Sequence, residues 1–170
     1  MEDIFYTVLQ TPWTKLFIAS GRRGLLAVKF IRNGGERSAL AALKKQYPEA
    51  TFAASQDKNR EMLKQLQAYT EGRLRAFDLP LDLKGTDFQK SVWKALGKIA
   101  YGTTRSYAEV ARTIGHPRAF RAVGQACRLN PTPIVVPCHR VLAADCTLGG
   151  YGGGVSLKGK LLKHEGASHR

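Results

Sequence analysis

Two helix-start signals in the second half of the chain restrict its fold more than any other feature. Residues 86–89 read Thr-Asp-Phe-Gln, and residues 106–109 read Ser-Tyr-Ala-Glu. In both, a hydroxyl residue stands three positions before a side chain that can hydrogen-bond back to its backbone, which is the capping box of helix N-termini. Apolar residues at helical spacing follow each box. Each box therefore predicts an amphipathic helix, and the second helix should end at Gly115.

A third helix is predicted directly after Gly115, opened by His116 and Pro117, because proline suits the first turn of a helix. Two helices joined by a short glycine-containing turn have the outline of a helix-turn-helix. The third helix carries four polar residues at spacings that put them on one face. They are Arg118, Arg121, Gln125 and Arg128. This stripe fits a site for a polyanion, and an ordinary solvated arginine face is the alternative.

The net charge also favours a polyanion partner. The 170 residues include 27 Lys+Arg and 13 Asp+Glu, which gives a formal net charge of +14. Residues 1–84 carry +5 of this and residues 85–170 carry +9, so a polyanion site is expected in the second half. Nucleic acid is the commonest such partner, although a generic basic surface would give the same total. The hydrophobic content of 44% excludes a disordered basic tail.

Neither a membrane segment nor an exported protein is indicated. No apolar run approaches the ~18 residues of a membrane span, and the N-terminus lacks the basic start of a signal peptide. The three cysteines are an odd number, which argues against a disulfide framework. We therefore expect a cytoplasmic protein with reduced thiols, in a prokaryotic cytosol or nucleoid.

The first half of the chain predicts a small mixed α/β domain. Three strand-like runs, the last two forming a hairpin, precede two helical stretches. These segments are 4–9, 16–19, 25–30, 36–47 and 57–69. Residues 79–83 are extended and punctuated by proline, which is typical of a linker. We therefore expect two domains, 1–83 and 84–170.

The segment 130–141, Asn-Pro-Thr-Pro-Ile-Val-Val-Pro-Cys-His-Arg-Val, carries the strongest chemical signal. An Asn-Pro turn and a short β-branched run deliver Cys138 to the edge of the core on a stiff support. With His139 and Arg140 beside it, this thiol is expected to have a lowered pKa and to act as a nucleophile. Neighbouring residues on an extended chain point to opposite sides, so pairing of Cys138 with His139 would need a bridging water.

Three other roles are possible for cysteines, besides that of a nucleophile. A lone cysteine is most often a small buried hydrophobe, which is our interpretation of Cys127 and Cys146. A structural zinc is disfavoured because no C-x₂-C or H-x₃-H spacing occurs, and neither cysteine nor histidine precedes residue 85. A papain-like peptidase has its cysteine and histidine far apart in sequence, unlike Cys138 and His139.

Several separated motifs resemble those of the O6-alkylguanine-DNA alkyltransferases. They are Asn-Pro at 130–131, Pro-Cys-His-Arg-Val at 137–141, the glycine-rich run 149–154 and His-Glu-Gly at 164–166. The match runs from about Asp87 to Gly166 without a gap, while the first half agrees only in size and element order. The resemblance implies an α/β (α+β) fold. A small N-terminal ribonuclease H-like antiparallel sheet with helices precedes a mainly helical domain with a winged-helix-like helix-turn-helix.

The resemblance also implies a set of catalytic roles. Cys138 accepts the alkyl group from the O6 atom of guanine, and His139, oriented by Glu165, takes the thiol proton through a water. Asn130 braces the turn before the cysteine, and Tyr107 donates a proton to N3 of the departing guanine. The thioether product is a poor leaving group, so one molecule repairs one lesion. Whether O4-alkylthymine is also a substrate, and which alkyl groups fit, is left open.

The same resemblance implies a base pocket and a DNA-binding helix. The target nucleotide is flipped out of the duplex, with Arg121 filling the gap and small residues letting the helix enter the minor groove. The implied pocket residues, beside Tyr107, are Val141, Tyr151, Gly152 and Gly153. The other implied DNA contacts are Ala119, Ala122, Gly124, Arg118 and Gln125, with Arg128 and Lys158 on phosphates. Two residues depart from the pattern of this family. Phe120 stands where many members have a small residue, and Gly152 stands where some members have a serine.

We expect duplex DNA containing O6-alkylguanine as the partner, and no cofactor, no metal and no membrane. The protein should be a monomer in solution, with clustering on DNA left open. Two other functions were considered: a non-catalytic lesion sensor, which would not need Cys138, and a helix-turn-helix regulator in which Cys138 senses alkylation. The regulator would need major-groove readout, for which the third helix offers few base-reading side chains beyond arginine and Gln125.

Overall fold

The computed structural model describes residues 2–32 and 34–169. The fold divides into two compact units, one ending at Lys84 and the other beginning at Gly85. The boundary expected from the sequence lies one residue earlier. Within the described residues, no helix is both long enough and apolar enough to cross a membrane.

The first unit is a four-stranded sheet with two helices, counted over its described residues. Its elements are β1 Asp3–Gln10, β2 Lys15–Gly21, β3 Gly24–Ile31, α1 Gly35–Gln46, β4 Thr51–Ala54 and α2 Arg60–Thr70. The strand order is β3-β2-β1-β4. Antiparallel pairing of β1, β2 and β3 confirms the predicted hairpin and antiparallel sheet. β4 pairs in parallel with β1, which the sequence did not predict and which makes the sheet mixed.

The core of the first unit lies between the sheet and α1. Ala39 and Leu43, four residues apart on one face of α1, pack with Phe17 and Ala27 of the sheet. Full burial of a leucine or phenylalanine side chain contributes about 1.5–3 kcal/mol. This unit therefore has an apolar core of its own.

Residues 79–83 are extended, as predicted, but they are not a free linker. The amide of Leu25 donates to the carbonyl of Pro80 (2.9 Å), and the amide of Asp82 donates to the carbonyl of Leu25 (3.0 Å). This pairing is so close that a Cβ on Gly24 would lie 2.2 Å from the Pro80 carbonyl oxygen. Gly24 also has φ +137°, so glycine alone fits there. The segment is therefore packed against the start of β3.

The second unit is mainly helical, as predicted. Its elements are α3 Asp87–Leu96, β5 Arg105–Ser106, α4 Tyr107–Thr113, α5 Phe120–Arg128, a 3₁₀ turn Cys138–Arg140, β6 Val141–Leu142 and α6 Val155–His164. The short strands β5 and β6 pair in parallel. They connect the start of α4 to the segment that follows the 3₁₀ turn.

Both predicted capping boxes form. The amide of Gln89 donates to Oγ1 of Thr86 (3.2 Å), and the amide of Thr86 donates to Oε1 of Gln89 (2.9 Å). Ser106 and Glu109 exchange the same two hydrogen bonds at 3.2 and 2.6 Å. The predicted starts of α3 and α4 are confirmed, because a cap depends only on residues three positions apart.

The predicted start of α5 is wrong. Gly115, with φ +78°, ends α4 as expected, but α5 begins at Phe120 rather than at Pro117. The amide of Ala119 donates to the carbonyl of His116 (2.8 Å), which closes a turn before the helix. Pro117 occupies the second position of that turn, a position that proline also favours.

Candidate active site

The turn that leads to Cys138 is fixed at several points. Asn130 Nδ2 donates to the carbonyl of Val136 (2.7 Å), and Asn130 Oδ1 accepts from the amide of Thr132 (3.0 Å). Between them, the buried Ile134 has φ +75°, a backbone conformation that a β-branched residue rarely adopts. Such strained residues persist only where surrounding structure holds them, and they concentrate at functional sites.

Cys138 opens the 3₁₀ turn and is only 6% exposed. Asn130 Nδ2 also donates to its Sγ atom (3.2 Å). Burial raises the pKa of the Cys138 thiol, and the Asn130 hydrogen bond and the Lys158 charge lower it by less. The predicted low pKa of Cys138 is therefore wrong, because the sequence could not show how completely the thiol is buried. A neutral thiol must lose its proton to react as a nucleophile, so this site needs a base.

His139 is fully buried beside Glu165, and its Nε2 lies 2.7 Å from the Glu165 Oε1 atom. Burial lowers the pKa of His139 by more than the hydrogen bond and charge of Glu165 raise it, so the imidazole is neutral. Because a carboxylate only accepts hydrogen bonds, we assign the hydrogen to Nε2 and the lone pair to Nδ1. Nδ1 makes no hydrogen bond within the described residues. The neutral His139 therefore has a free lone pair and can act as a base.

Arg140, which the sequence reasoning placed only as a charged neighbour of the Cys138 thiol, fixes Glu165 in place. Its Nε donates to Oε2 of Glu165 (2.8 Å) and its Nη2 donates to Oε1 (2.9 Å), a two-point contact. Its Nη1 donates to the carbonyl of Ile99 (2.6 Å), and the amide of Gly102 donates to Glu165 Oε2 (3.3 Å). Glu165, Arg140 and Ile99 are buried, and Gly102 is half-buried. The only indication of this contact in the sequence was that Arg140 directly follows His139.

Lys158 is fully buried, so its predicted role as a phosphate contact is wrong. Its Nζ donates to the carbonyl of Val141 (2.5 Å) and to that of Leu148. Burial lowers the pKa of Lys158, while the nearby thiols Cys138 and Cys127 raise it. The lysine lies on the inner face of α6 and ties β6 and the middle of the loop after it to that helix. The prediction failed because lysine side chains are rarely buried.

A cavity of about 150 Å³ opens beside the thiol. Its walls come from α4, α5, the 3₁₀ turn and the glycine-rich loop. The lining residues are Tyr107, Gly124, Cys127, Arg128, Cys138, Gly150, Tyr151 and Gly152. A cavity of roughly this volume, about 150 Å³, holds one benzene ring in another protein. The space beside Cys138 thus matches a flat aromatic group better than an extended chain.

Tyr107 presents a protonated phenol to this cavity. Burial, and then the nearby Cys127 and Cys138, raise the pKa of Tyr107 to about 12. The phenol oxygen is 3.4 Å from where a Cβ on Gly149 would lie, and the ring is 3.8 Å from the equivalent point on Gly124. A phenol that keeps its proton at neutral pH is a hydrogen-bond donor to whatever occupies the cavity.

The glycine-rich loop needs its glycines for two different reasons. Gly149 and Gly154 have φ of +63° and +90°, a conformation that favours glycine. Gly152 has no other atom within 4 Å of a built Cβ, so it leaves space at the cavity rim instead. Two predicted pocket residues, Val141 and Gly153, are not among the residues that line the cavity. The carbonyl of Val141 is occupied by Lys158 instead.

Helix α5 exposes polar side chains on the surface next to the cavity. Arg121, Gln125 and Arg128 are exposed, and Arg128 also lines the cavity. Arg118 is exposed as well, but it lies in the turn before α5 and so does not share a helical face with them. Of the predicted small residues, Ala122 is exposed, whereas Ala119 and Gly124 are half-buried.

The other two cysteines differ from each other. Cys127 is half-buried and lines the cavity, and burial raises the pKa of its thiol to about 12. Cys146 is exposed, in the loop after β6, so the prediction that it is a buried hydrophobe is wrong. Its φ of +65° puts it in a loop conformation that a core residue rarely has.

Comparison with known proteins gives one consistent result across the whole chain. The family model described as 6-O-methylguanine DNA methyltransferase, DNA binding domain, matches residues 87–167, and the model of the ribonuclease-like domain of the same proteins matches residues 4–83. A methylated-DNA–protein-cysteine methyltransferase of Methanosarcina barkeri is 43% identical over 162 residues, which cover 95% of this chain and 97% of that protein. The Mycobacterium tuberculosis protein of the same name is 58% identical over 101 residues, which cover 59% of this chain and 61% of that protein.

Solved structures agree with these sequence matches. The crystal structure of the Mycobacterium tuberculosis O6-methylguanine methyltransferase has a TM-score of 0.83 and 40% identity, and the match covers 96% of this chain and 93% of that one. A structure of the enzyme from the same organism in complex with DNA has a TM-score of 0.80 and 39% identity, covering 96% and 92%. Both units of the fold are included in these matches, and the resemblance drawn from the sequence motifs is confirmed. This chain belongs to the 6-O-methylguanine DNA methyltransferase family.

Proposed function

We propose that the protein repairs alkylated duplex DNA by moving the alkyl group from O6 of guanine onto Cys138. One observation carries this proposal: a cavity sized for an aromatic ring has a thiol in its wall, and a neutral histidine held by a buried Glu165–Arg140 pair follows that cysteine in the chain. Family membership supports the same chemistry. The catalytic roles of Cys138 and His139 are therefore proposed together.

The first chemical step removes the thiol proton. The lone pair on Nδ1 of His139 takes it through a bridging water, and the charge of Glu165 stabilises the imidazolium that forms. Arg140 holds Glu165 in position by its two-point contact. The Lys158 ammonium lowers the pKa of Cys138 and so favours the thiolate.

The second step is an in-line displacement at the alkyl carbon. The bond from Cys138 Sγ to this carbon forms while its bond to guanine O6 breaks. Tyr107 donates its phenol proton to N3 of the departing guanine, so the base leaves neutral. The proton that His139 received restores the phenol, and the net result is one thioether and one repaired guanine.

The reaction is stoichiometric because a thioether is a neutral, poor leaving group. Nothing in the proposed chemistry returns Cys138 to a thiol, so each molecule acts once. The protein is therefore inactivated by the repair of one lesion. O4-alkylthymine, whose alkyl carbon is likewise attached to an exocyclic oxygen of the base, is proposed as a second substrate class.

DNA binding is proposed for the domain formed by residues 84–170. Its net charge of +9 over residues 85–170 gives salt-dependent, sequence-independent attraction to phosphates. The exposed Arg121 fills the space left in the stack when the lesion flips out, and Arg128 contacts a phosphate near the cavity mouth. Arg118, Ala119, Ala122, Gly124 and Gln125 are proposed to lie along the groove. The domain formed by residues 1–83 is proposed as its separately folded neighbour.

The cellular setting proposed for this chemistry is the prokaryotic cytosol or nucleoid. Its DNA substrate is there, and three free cysteines are compatible with a reducing compartment. We propose that the protein works as a monomer, because one chain supplies all the proposed reacting groups: Cys138 and Tyr107 line its cavity, and His139 follows Cys138 in the chain.

The test is to incubate the protein with a duplex that carries one O6-methylguanine, weigh the intact protein and map the modified residue. We expect one methyl group, located on Cys138. The exposed Cys146 serves as an internal control, because non-specific alkylation would reach it first. A Cys146→Ser variant should react as the parent does, and a Cys138→Ser variant should not react. Methyl groups on Cys146, or tight binding with no change in mass, would refute the proposal, and the latter would indicate a lesion sensor.

A further inference from the structure

Phe120, the first residue of α5, is a large aromatic side chain that stays 46% exposed. A single exposed apolar side chain is common on protein surfaces, so the exposure of Phe120 alone assigns it no role. The catalytic and DNA-binding roles proposed above give it no task. Its surroundings on α5 therefore decide what it could bind.

The position of Phe120 connects it to the cavity. Phe120, Gly124 and Cys127 are spaced at i, i+4 and i+7, which places them on one stripe of α5. Gly124 and Cys127 line the cavity, so Phe120 lies on the same side, about 6 Å further along the helix axis. Leu129, another large apolar residue that is exposed, follows nine positions later, which turns it about 180° away from Phe120.

The charges around Phe120 favour a nucleic acid over an apolar protein surface. The guanidinium of Arg121 lies 5.8 Å from the centre of the Phe120 ring. Helix α5 contains no acidic residue, and Arg128 reaches the cavity from the same helix. An aromatic ring next to exposed arginines can stack on a base while the arginines contact phosphates.

We propose that Phe120 stacks against the nucleobase next to the flipped O6-alkylguanine and so acts as a second inserting side chain beside Arg121. This inference rests on the proposed function. Flipping a nucleotide removes the stacking partner of its neighbours, and an aromatic ring replaces that partner with little dependence on base identity. Phe120 is then a positioning residue for reaction on duplex DNA, with no part in the chemistry at Cys138.

The test compares Phe120→Ala, Phe120→Trp and the control Leu129→Ala, which removes an equally exposed side chain from the opposite side of the helix. Single-turnover transfer is measured on a duplex with one O6-methylguanine and on the free base O6-benzylguanine. Phe120→Ala should slow transfer from limiting duplex about tenfold or more, the loss typical of one base–aromatic stack. Transfer from the free base should stay at the parent rate. Phe120→Trp should react with the duplex as the parent does, and Leu129→Ala should match the parent on both substrates.

A second readout locates the contact. A 2-aminopurine placed beside the lesion should be quenched when the parent protein binds and brighter when Phe120→Ala binds. Equal duplex rates for the parent and Phe120→Ala, equal losses on both substrates, or unchanged fluorescence would overturn the inference. Self-association without DNA that Phe120→Ala abolishes would also overturn it, in favour of a contact between copies. Failure of the proposed function is distinct, because the parent would then transfer nothing from either substrate.

Discussion

Replacing Glu165 by glutamine should destabilise the second unit strongly, although the two side chains have nearly the same shape. Glu165 is buried and accepts hydrogen bonds from His139, from the amide of Gly102 and twice from Arg140. A glutamine has only one acceptor oxygen, and its NH₂ group would face the N–H donors that now bond to the second carboxylate oxygen. The buried guanidinium of Arg140 then has no counter-charge.

The size of this effect follows from the burial of the pair. Removing one partner of a buried ion pair costs about 3–5 kcal/mol, because the other charge is left uncompensated. With an m-value of about 2 kcal/mol/M, the urea midpoint should fall by about 2 M. The control is Asp145→Asn, the same carboxylate-to-amide change at an exposed position of the second unit, which should change the free energy of unfolding by less than about 0.5 kcal/mol.

The assay is urea unfolding followed by the fluorescence of the buried Trp93, in a Trp13→Phe background so that the second unit alone is observed. A double variant, Arg140→Met with Glu165→Gln, should recover part of the loss, because neither charge of this pair then remains in the core. If Glu165→Gln costs less than about 1 kcal/mol, or if the double variant is worse than the sum of the two single variants, the reasoning about this buried pair is refuted.

Three further predictions concern other parts of the same unit. Ile134→Gly should be more stable than Ile134→Ala by about 1 kcal/mol, the reverse of the usual order, because φ is +75° there; urea unfolding of both variants measures this. The pKa of the Cys127 thiol is near 9.0 in the unfolded chain and about 12 in the folded protein, so the unfolded state loses this proton first. The free energy of unfolding therefore falls by about 1.4 kcal/mol per pH unit as the pH rises between these two values. Cys127→Ala should flatten this slope, and an unchanged slope would contradict the assignment. Arg121→Ala should slow transfer from duplex DNA by about tenfold or more while transfer from free O6-benzylguanine keeps its rate, and equal losses on both would argue against a wedge.

Features that depend on nearby residues were predictable from the sequence. The caps of α3 and α4 were predicted correctly because each needs only a hydroxyl residue and a partner three positions later. The strands β2 and β3 were equally clear, since the apolar runs flank a glycine-containing turn. The segment around Cys138 was identified from its residues, and its placement against Asn130 agrees with the turn expected there.

Features that depend on distant contacts were not predictable. The strand β4 has four residues with little burial, so its sequence shows no apolar strand pattern. Its hydrogen bonds to β1, which lies far away in the sequence, define it as a strand. Nothing local shows that Lys158 turns inward onto the carbonyl of Val141, since a lysine is ordinarily a surface residue. Likewise, the raised pKa of Cys138 results from burial by surrounding elements, which the motif around it does not contain.

The most direct test of the central claim is the number of alkyl groups transferred per protein molecule when the DNA is in excess. A duplex with one labelled O6-methylguanine is supplied at several times the protein concentration, and label on the protein is followed to completion. The account predicts a plateau at one methyl group per molecule, with all label in the peptide that contains Cys138 and no later turnover. Continued release of repaired DNA beyond that plateau, or label on any other residue, would contradict it.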